Sequence, residues 1–128
     1  MSDSRRGLVA SSTGILVVTA LLVCASEGLN SEGLYLLEFK KSIHDEFNYL
    51  GNWNSSDQTP CGWKGVNCSP DRKNPVVVSI NLSTMKLSGT LSSSICNVVN
   101  LAELDVSDNG FTGNIPREIG NCSRLESL

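Results

Sequence analysis

The chain has 128 residues, which is enough for one domain, and its formal net charge is -3 with a pI near 5.0. An acidic chain of this size gives no electrostatic reason to expect a nucleic-acid partner. Its sequence contains no phosphate-binding glycine loop, zinc-protease helix, serine-hydrolase elbow or dinucleotide-binding fingerprint. We therefore expect a protein that is not an enzyme and that needs no cofactor and no metal.

The N-terminal segment has the features of a secretory signal peptide. Two arginines precede an uncharged stretch from Leu8 to Ala25, and small residues surround Ala25 and Gly28. We expect residues 1–28 to be removed, with cleavage after Ala25 or after Gly28. The alternative is a retained signal anchor, because the uncharged stretch reaches the lower length limit of a membrane-spanning helix.

A pattern of apolar and turn-forming residues occurs twice, with a period of about 24 residues. The first copy contains Val77, Ile80, Leu82, Met85, Leu87, Gly89, Leu91, Ser92 and Ile95. The second contains Leu101, Leu104, Val106, Asn109, Phe111, Gly113, Ile115, Pro116 and Ile119, and Leu125 and Leu128 begin a third. This leucine spacing predicts a leucine-rich repeat rather than a chance pattern in a βαβ unit.

Each copy can be interpreted as one coil of a solenoid. In the second copy Leu104 and Val106 are predicted to point inward and Asp105 outward, as in a strand. Asn109 is expected to bond free backbone groups where the chain turns, in line with equivalent residues of stacked repeats. The first copy has Met85 in place of this asparagine. The far side of the coil is expected to be filled by Phe111, Ile115 and Ile119.

Several motifs carry a family resemblance. The segment Gly113-x-Ile115-Pro116-x-x-Ile119-Gly120 resembles the plant-specific form of the leucine-rich repeat. Leu34 to Lys40 is similar to the cap helix of that family, and its cap motif is matched by Leu50-x-x-Trp53 and Pro60-Cys61-x-Trp63-x-Gly65-Val66-x-Cys68. The chain thus resembles the ectodomains of plant receptor-like kinases and receptor-like proteins. The resemblance implies an α/β solenoid, a right-handed coil with parallel strands on the concave face and a helical, disulfide-linked N-terminal cap.

The resemblance and the period predict the order of the units. These are a signal peptide at 1–28, a cap at 29–75, a first repeat at 76–99, a second repeat at 100–123 and the start of a truncated third at 124–128. Leu128 takes a core position just as the third strand begins, so we expect the working protein to continue beyond it.

The cysteine positions predict one disulfide. Cys61 and Cys68 flank a short loop, and an oxidising compartment favours a bond between them. A zinc site is the rival interpretation, but the chain has a single histidine and no C-x-x-C pair. Cys96 and Cys122 take different places within the repeat, so two free thiols are expected in preference to a bridge between them.

A helix is predicted in the cap from about Glu32 to Asp45, with Ser31 as its N-cap. Trp53 and Trp63 are expected to pack beneath it. His44 is interpreted as a solvated helix end rather than as a member of a catalytic triad. The apolar face of the helix is expected to comprise Leu34, Leu36, Leu37, Phe39 and Ile43.

The predicted strands define a candidate ligand-binding face. Its outward positions are Ser79, Asn81, Ser83 and Thr84 in the first repeat and Glu103, Asp105, Ser107 and Asp108 in the second. Candidate glycosylation sites are the N-x-S sequons at Asn54, Asn67, Asn81 and Asn121. A glycan on Asn81 would obstruct the first strand of this face.

We therefore expect an extracellular binding module from the N-terminal part of a receptor, with a protein or peptide ligand and a co-receptor as partners. In the resembling family a distant cytoplasmic kinase signals, so the kinase is expected outside this chain. The chain is expected in the secretory pathway and at the cell surface, with membrane contact only through a C-terminal part or an uncleaved anchor. The alternative is a small secreted repeat protein that inhibits another protein, like the plant inhibitors of polygalacturonases.

Overall fold

The computed structural model describes residues 28–113, 115–120 and 122. The signal-peptide prediction up to Glu27, the sequon at Asn121 and the predicted third repeat at 124–128 lie outside these residues. Within the described part, no helix combines the length and the apolar character needed to cross a membrane.

The described chain contains six short strands, two α-helices and one 3₁₀ helix. Helix α1 spans Ser31–Lys40, a 3₁₀ helix spans Ser93–Asn97 and helix α2 spans Arg117–Gly120. The strands are β1 Ile43–His44, β2 Val66–Cys68, β3 Val77–Asn81, β4 Ser88–Gly89, β5 Glu103–Asp105 and β6 Gly110–Phe111. They form two three-stranded sheets, ordered β2–β3–β5 and β1–β4–β6.

The sheet β2–β3–β5 carries the strands of the two repeats. Strands β3 and β5 are parallel, with Ile80 beside Leu104 and Asn81 beside Asp105. Ile80 and Leu104 are almost fully buried, because alternate residues of a strand point to opposite faces. This parallel pairing confirms the predicted solenoid. The sheet also has a strand from the cap, β2, which pairs antiparallel with β3 and was not predicted.

The second sheet joins the cap to both repeats. Strand β1 pairs antiparallel with β4, and β4 pairs parallel with β6. Thr90 N donates to Ser42 O at 3.0 Å, and Ser42 Oγ donates to Thr90 O at 2.9 Å. Gly89 permits this close approach, since its φ is 94° and a Cβ at this position would collide with the Ser42 carbonyl oxygen.

The pairing in the second sheet also ends helix α1. The helix stops at Lys40 rather than near Asp45, because the residues that follow Lys41 run along the repeat instead of continuing the helix. His44 therefore lies in strand β1, where it is exposed, and its interpretation as a helix end is wrong.

Helix α1 begins one residue earlier than predicted. Asn30 is its N-cap, because Asn30 Oδ1 accepts from Gly33 N at 2.9 Å, and Ser31 is the first helical residue. Leu34 was expected on the buried face but is 55% exposed. It lies roughly 200° around the helix from the fully buried Leu36, which places it on the outer side.

One hydrophobic core runs from the cap through both repeats. Its largest fully buried side chains are Phe39, Leu36, Leu50, Ile80, Leu82, Leu87, Ile95, Leu101, Leu104 and Ile119. Ile115 was expected in this core but is 53% exposed. Its counterpart Leu91 is buried, and Leu91, Ile115 and the half-buried Phe111 line a cavity of about 320 Å³ in the second repeat.

Two tryptophans fill the cap, as predicted. Trp53 and Trp63 are buried and stacked, with ring centroids 5.4 Å apart. Trp53 Nε1 donates to Lys64 O at 3.0 Å, and Trp63 Nε1 donates to Asp57 Oδ2 at 2.8 Å. Each buried indole N–H therefore has a partner, which makes these rings suitable core residues rather than ligand contacts.

The described residues form two disulfides. Cys61 is bonded to Cys68, the pair expected in the cap. Cys96 is bonded to Cys122, so the expectation of two free thiols is wrong. The cause is the packing of the 3₁₀ helix of the first repeat against α2 of the second, where the Cα atoms of this pair lie 4.9 Å apart. The chain-entropy estimate for a loop of this length is about 3.5 kcal/mol.

Glu32 links the cap helix to the first repeat. Its carboxylate oxygens accept from the Val77 N–H at 3.1 and 3.3 Å. Burial raises the pKa of Glu32 above its ordinary value of 4.5, against the opposing effect of this hydrogen bond. The fold therefore disfavours the ionised carboxylate while it uses the carboxylate oxygens to pair the first amide of β3.

Replacement of Glu32 by glutamine should remove a pH dependence of stability. Because the pKa is higher in the folded than in the unfolded state, the folded state binds the proton more tightly. The stability of the wild type relative to Glu32→Gln should therefore rise as the pH falls from neutral, through the raised pKa, to the ordinary value of 4.5. Urea unfolding of both proteins across this range measures the difference. A difference that is constant, or that shrinks, would contradict the prediction.

A matched pair of substitutions on strand β5 tests which side of the strand is buried. Leu104→Ala should lower the free energy of unfolding by roughly 2–5 kcal/mol, because it opens a cavity in the core. Glu103→Lys should change it by about 0.5 kcal/mol or less, because this side chain is exposed. Chemical denaturation of the two variants gives both values, and equal losses would show that the assignment of the two faces is wrong.

Candidate ligand-binding face

The side of the sheet β2–β3–β5 that points away from the core is polar, and we call it the concave face. Ser79 lies beside Glu103, and Asn81 lies beside Asp105, on the neighbouring parallel strands. Residues in register on adjacent strands project to the same side of a sheet. The structure therefore brings these four predicted outward residues together as two rows.

The other predicted outward residues follow the strands. Ser83 and Thr84 follow β3, and Ser107 and Asp108 follow β5. Thr84 and Asp108 are exposed and have φ values of 56° and 55°. Positive φ is uncommon for residues other than glycine, and it is rarest for a β-branched residue such as Thr84. Thr84 N donates to Ser107 O at 3.1 Å. These residues turn the chain at the edge of the concave face rather than extending its strands.

Asn81 and Asp105 form the same local motif, one repeat apart. Asn81 Oδ1 accepts from Ser83 N at 2.9 Å and from Ser83 Oγ at 2.7 Å. Asp105 Oδ1 accepts from Ser107 N at 3.0 Å and from Ser107 Oγ at 2.6 Å. The Ser107 hydroxyl, followed by its amide, lowers the pKa of Asp105 below its ordinary value of 3.8. The second strand thus presents a carboxylate where the first presents a neutral amide.

Asn67 extends the concave face toward the cap, a position that had been predicted only as a sequon. Strand β2 is antiparallel to β3 and places Asn67 opposite Ser79. Opposed residues of antiparallel strands lie on the same side, so the exposed Asn67 continues the first row. The alternation of the apolar Val66, the polar Asn67 and the apolar Cys68 is the sequence signal that could have identified this strand.

A single asparagine holds the turn behind the concave face. Asn109 Oδ1 accepts from Met85 N at 3.1 Å and from Leu87 N at 2.9 Å. Its Nδ2 donates, at 2.8, 3.1 and 3.0 Å, to the carbonyl oxygens of Leu82, Val106 and Ser107. Asn109 therefore joins the backbone of both coils, as its place in the repeat predicts.

The concave face can bind polar and cationic groups. Its exposed side chains include the carboxylates of Glu103 and Asp108, and amides and hydroxyls surround them. Among the described residues, no three His, Cys, Asp or Glu side chains are grouped so that they could hold a metal ion. The chemistry available on this face is hydrogen bonding and charge pairing, which are the interactions of a recognition surface.

Comparison with known proteins agrees with this arrangement. Residues 29–69 match the family "Leucine rich repeat N-terminal domain", and residues 100–122 match "Leucine Rich Repeat". A probable leucine-rich repeat receptor-like protein kinase of Arabidopsis thaliana is 54% identical over 91 residues, which are 71% of this chain and 8% of that protein.

Two crystal structures show the same fold. One is the ectodomain of the plant membrane receptor kinase GASSHO1/SCHENGEN3 from Arabidopsis thaliana, in complex with CASPARIAN STRIP INTEGRITY FACTOR 2. Its TM-score is 0.68 at 32% identity, over 76% of this chain and 12% of that one. The other is the Arabidopsis receptor kinase HAESA, in complex with the peptide hormone IDA and the co-receptor SERK1. Its TM-score is 0.58 at 28% identity, over 78% of this chain and 21% of that one.

The cap, the parallel repeat strands and the polar concave face define a leucine-rich-repeat solenoid. The chain is a leucine-rich-repeat protein with the N-terminal domain of that class, and it aligns with the N-terminal part of the ectodomains of plant leucine-rich-repeat receptor kinases. The chain spans only 8% of the first relative's length, and the aligned part is the repeat region rather than the kinase.

Loss of the Asn109 side chain should destabilise the stack far more than loss of an exposed asparagine. Asn109→Ala leaves backbone groups of two coils without partners, and we expect a loss of roughly 2–4 kcal/mol. Asn67→Ala is the matched control, with an expected change of about 0.5 kcal/mol or less, because Asn67 is exposed. Denaturation of unglycosylated protein measures both changes. Similar values for the two variants would refute a bridging role for Asn109.

Proposed function

We propose that this chain is the N-terminal part of an extracellular recognition module whose concave face binds a protein or peptide ligand, with a co-receptor as a further partner. The observation that carries the proposal is the register of β3 and β5, which sets Ser79 beside Glu103 and Asn81 beside Asp105. In a solenoid each further repeat adds one more strand to such rows, and stacked repeats thereby create an extended concave binding surface.

The ligand complexes of similar ectodomains support this proposal. The GASSHO1/SCHENGEN3 ectodomain was crystallised with CASPARIAN STRIP INTEGRITY FACTOR 2, and HAESA with the peptide hormone IDA and the co-receptor SERK1. This chain superposes on the N-terminal cap and first coils of a much longer repeat array. Its own surface would therefore form the cap end of a longer binding face.

The proposed contact residues at this end are those of the concave face and its edge. They are Ser79, Asn81, Ser83 and Thr84 on the first repeat and Glu103, Asp105, Ser107 and Asp108 on the second. The proposal includes a secretory signal peptide at residues 1–28 and a location at the cell surface. The kinase and the membrane-spanning helix of such a receptor would lie outside this chain, which itself acts by binding and not by catalysis.

Site-specific photocrosslinking in the full-length receptor tests the proposal. A photoreactive amino acid is placed at Glu103, on the concave face, and in a matched variant at Val99, which is 58% exposed and follows the 3₁₀ helix away from the strands. The probe is the secreted peptide fraction of the source plant. We expect peptide adducts at Glu103 that an excess of the same fraction competes away, and at Val99 only background labelling.

Equal labelling at the two positions, or labelling that no competitor reduces, would contradict ligand binding on the concave face. The alternative of an inhibitor of another protein is addressed by the same labelling with the secreted protein fraction as the probe. Such an inhibitor would crosslink to a folded enzyme in that fraction and not to a secreted peptide. The relatives described above are receptor kinases, and no feature of the described residues favours the inhibitor.

A further inference from the structure

Asn81 has a side-chain nitrogen that the fold does not use. Its Oδ1 accepts from the Ser83 amide and hydroxyl, and among the described residues nothing accepts from its Nδ2. Asn109 provides the contrast, because it is not part of a sequon and its Nδ2 donates to three carbonyl oxygens. The asparagine that holds the stack together uses its nitrogen, whereas the exposed asparagine on the concave face leaves its nitrogen available.

The turn that follows β3 does not require an asparagine. Asp105, one repeat later, makes the same two hydrogen bonds with Ser107. An aspartate at position 81 would therefore serve the backbone equally well. What asparagine adds is Nδ2, within the sequence Asn81-Leu82-Ser83.

We propose that Asn81 carries an N-linked glycan that projects from the concave face and shields its cap end. In the transfer, Nδ2 forms a bond to the anomeric carbon of a lipid-diphosphate-linked oligosaccharide. The bond between that carbon and the diphosphate oxygen breaks, the lipid diphosphate leaves with the bonding electrons, and Nδ2 releases one proton. The folded turn loses no hydrogen bond, because its bonds use Oδ1.

The neighbours of Asn81 leave space for a glycan. On the cap side, Asn81 N donates to Gly65 O at 2.8 Å, and Gly65 has no side chain that could meet the first sugar. On the other side lies Asp105, which is beside Asn81 on the neighbouring strand β5. A glycan here covers Ser79 and withdraws the first-repeat residues from the proposed contact surface, which then begins at the second repeat. The inference that this glycan excludes a ligand rests on the proposed function. The inference that Asn81 is modified does not rest on it.

The other described sequons differ from that of Asn81 either in their place in the fold or in their hydrogen bonds. Asn54 has the same geometry, since its Oδ1 accepts from Ser56 N at 2.9 Å and Ser56 Oγ at 3.0 Å, but it lies in the cap loop away from the sheet. In the sequon of Asn67 the hydroxyl oxygen of Ser69 accepts from Val76 N at 3.1 Å, and the intervening cysteine is disulfide-bonded. Asn54 is therefore the comparator for occupancy.

Peptide mapping of the full chain secreted from plant cells tests occupancy. Peptide-N-glycosidase converts a glycosylated asparagine to aspartate, which marks the modified site. We expect modification of Asn81 in the wild type and in Ser83→Thr, and loss of it in Ser83→Ala and Asn81→Asp. Asn81→Asp should fold normally, because Asp105 already occupies the equivalent turn. An unmodified Asn81 in folded, secreted wild-type protein overturns the proposal, whatever the state of Asn54.

A ligand-free measurement tests the shielding. A reporter thiol is placed on the concave face by Ser79→Cys and, as a control, away from it by Val99→Cys. In glycosylated protein a polyethylene glycol maleimide should label Ser79→Cys several-fold more slowly than in the same variant with Asn81→Asp, after normalisation to iodoacetamide. The rate at Val99→Cys should not depend on position 81. Equal rates at Ser79→Cys with and without the sequon overturn the shielding, even where the glycan is present.

Discussion

One carboxamide determines how the two coils of this protein stack. Asn109 accepts from Met85 N and Leu87 N of the first coil, and it donates to carbonyl oxygens of both coils. These backbone groups lie at a turn where no strand or helix supplies partners, and a buried polar group left unpaired costs about 1–3 kcal/mol. The direct pairing of β3 and β5 sets Ile80 beside Leu104 and keeps the rows of the concave face in register. Asn109 extends the contact between the two coils into the turn, where this pairing has ended.

The direction of this interaction explains why the first repeat has Met85 at the equivalent position. The asparagine of a repeat serves the turn of the coil before it, so a residue at position 85 would serve the cap instead of a repeat. There the backbones of the cap and the first repeat bond directly, as in the donation from Asn81 N to Gly65 O at 2.8 Å. Met85 can therefore be apolar, and it is only 8% exposed. Stacking against a cap thus accounts for a residue that periodicity alone treats as a mismatch.

Periodicity predicted the contacts between equivalent positions and failed where unlike segments meet. Asn30 rather than Ser31 caps helix α1, and the chain is held at this point because Asn30 N donates to Gln58 O, a contact that no local pattern reveals. The early end of α1 and the Cys96–Cys122 bridge also depend on partners in other units. For the concave face, alternation was sufficient to place the residues of β3 and β5. It missed the strand that the cap contributes, because the cap has no period.

The two repeat strands of the concave face share a backbone design but differ in charge. The second strand carries the anionic Asp105 where the first carries the neutral Asn81, and the bonds from Ser107 lower the pKa of that carboxyl group below its ordinary value of 3.8. Glu103 precedes it on the same face. At physiological ionic strength the field of exposed charges decays over ~8 Å, less than two strand spacings of ~4.8 Å each. A cationic group that approaches the concave face is therefore attracted mainly to its second-repeat side, where these carboxylates lie.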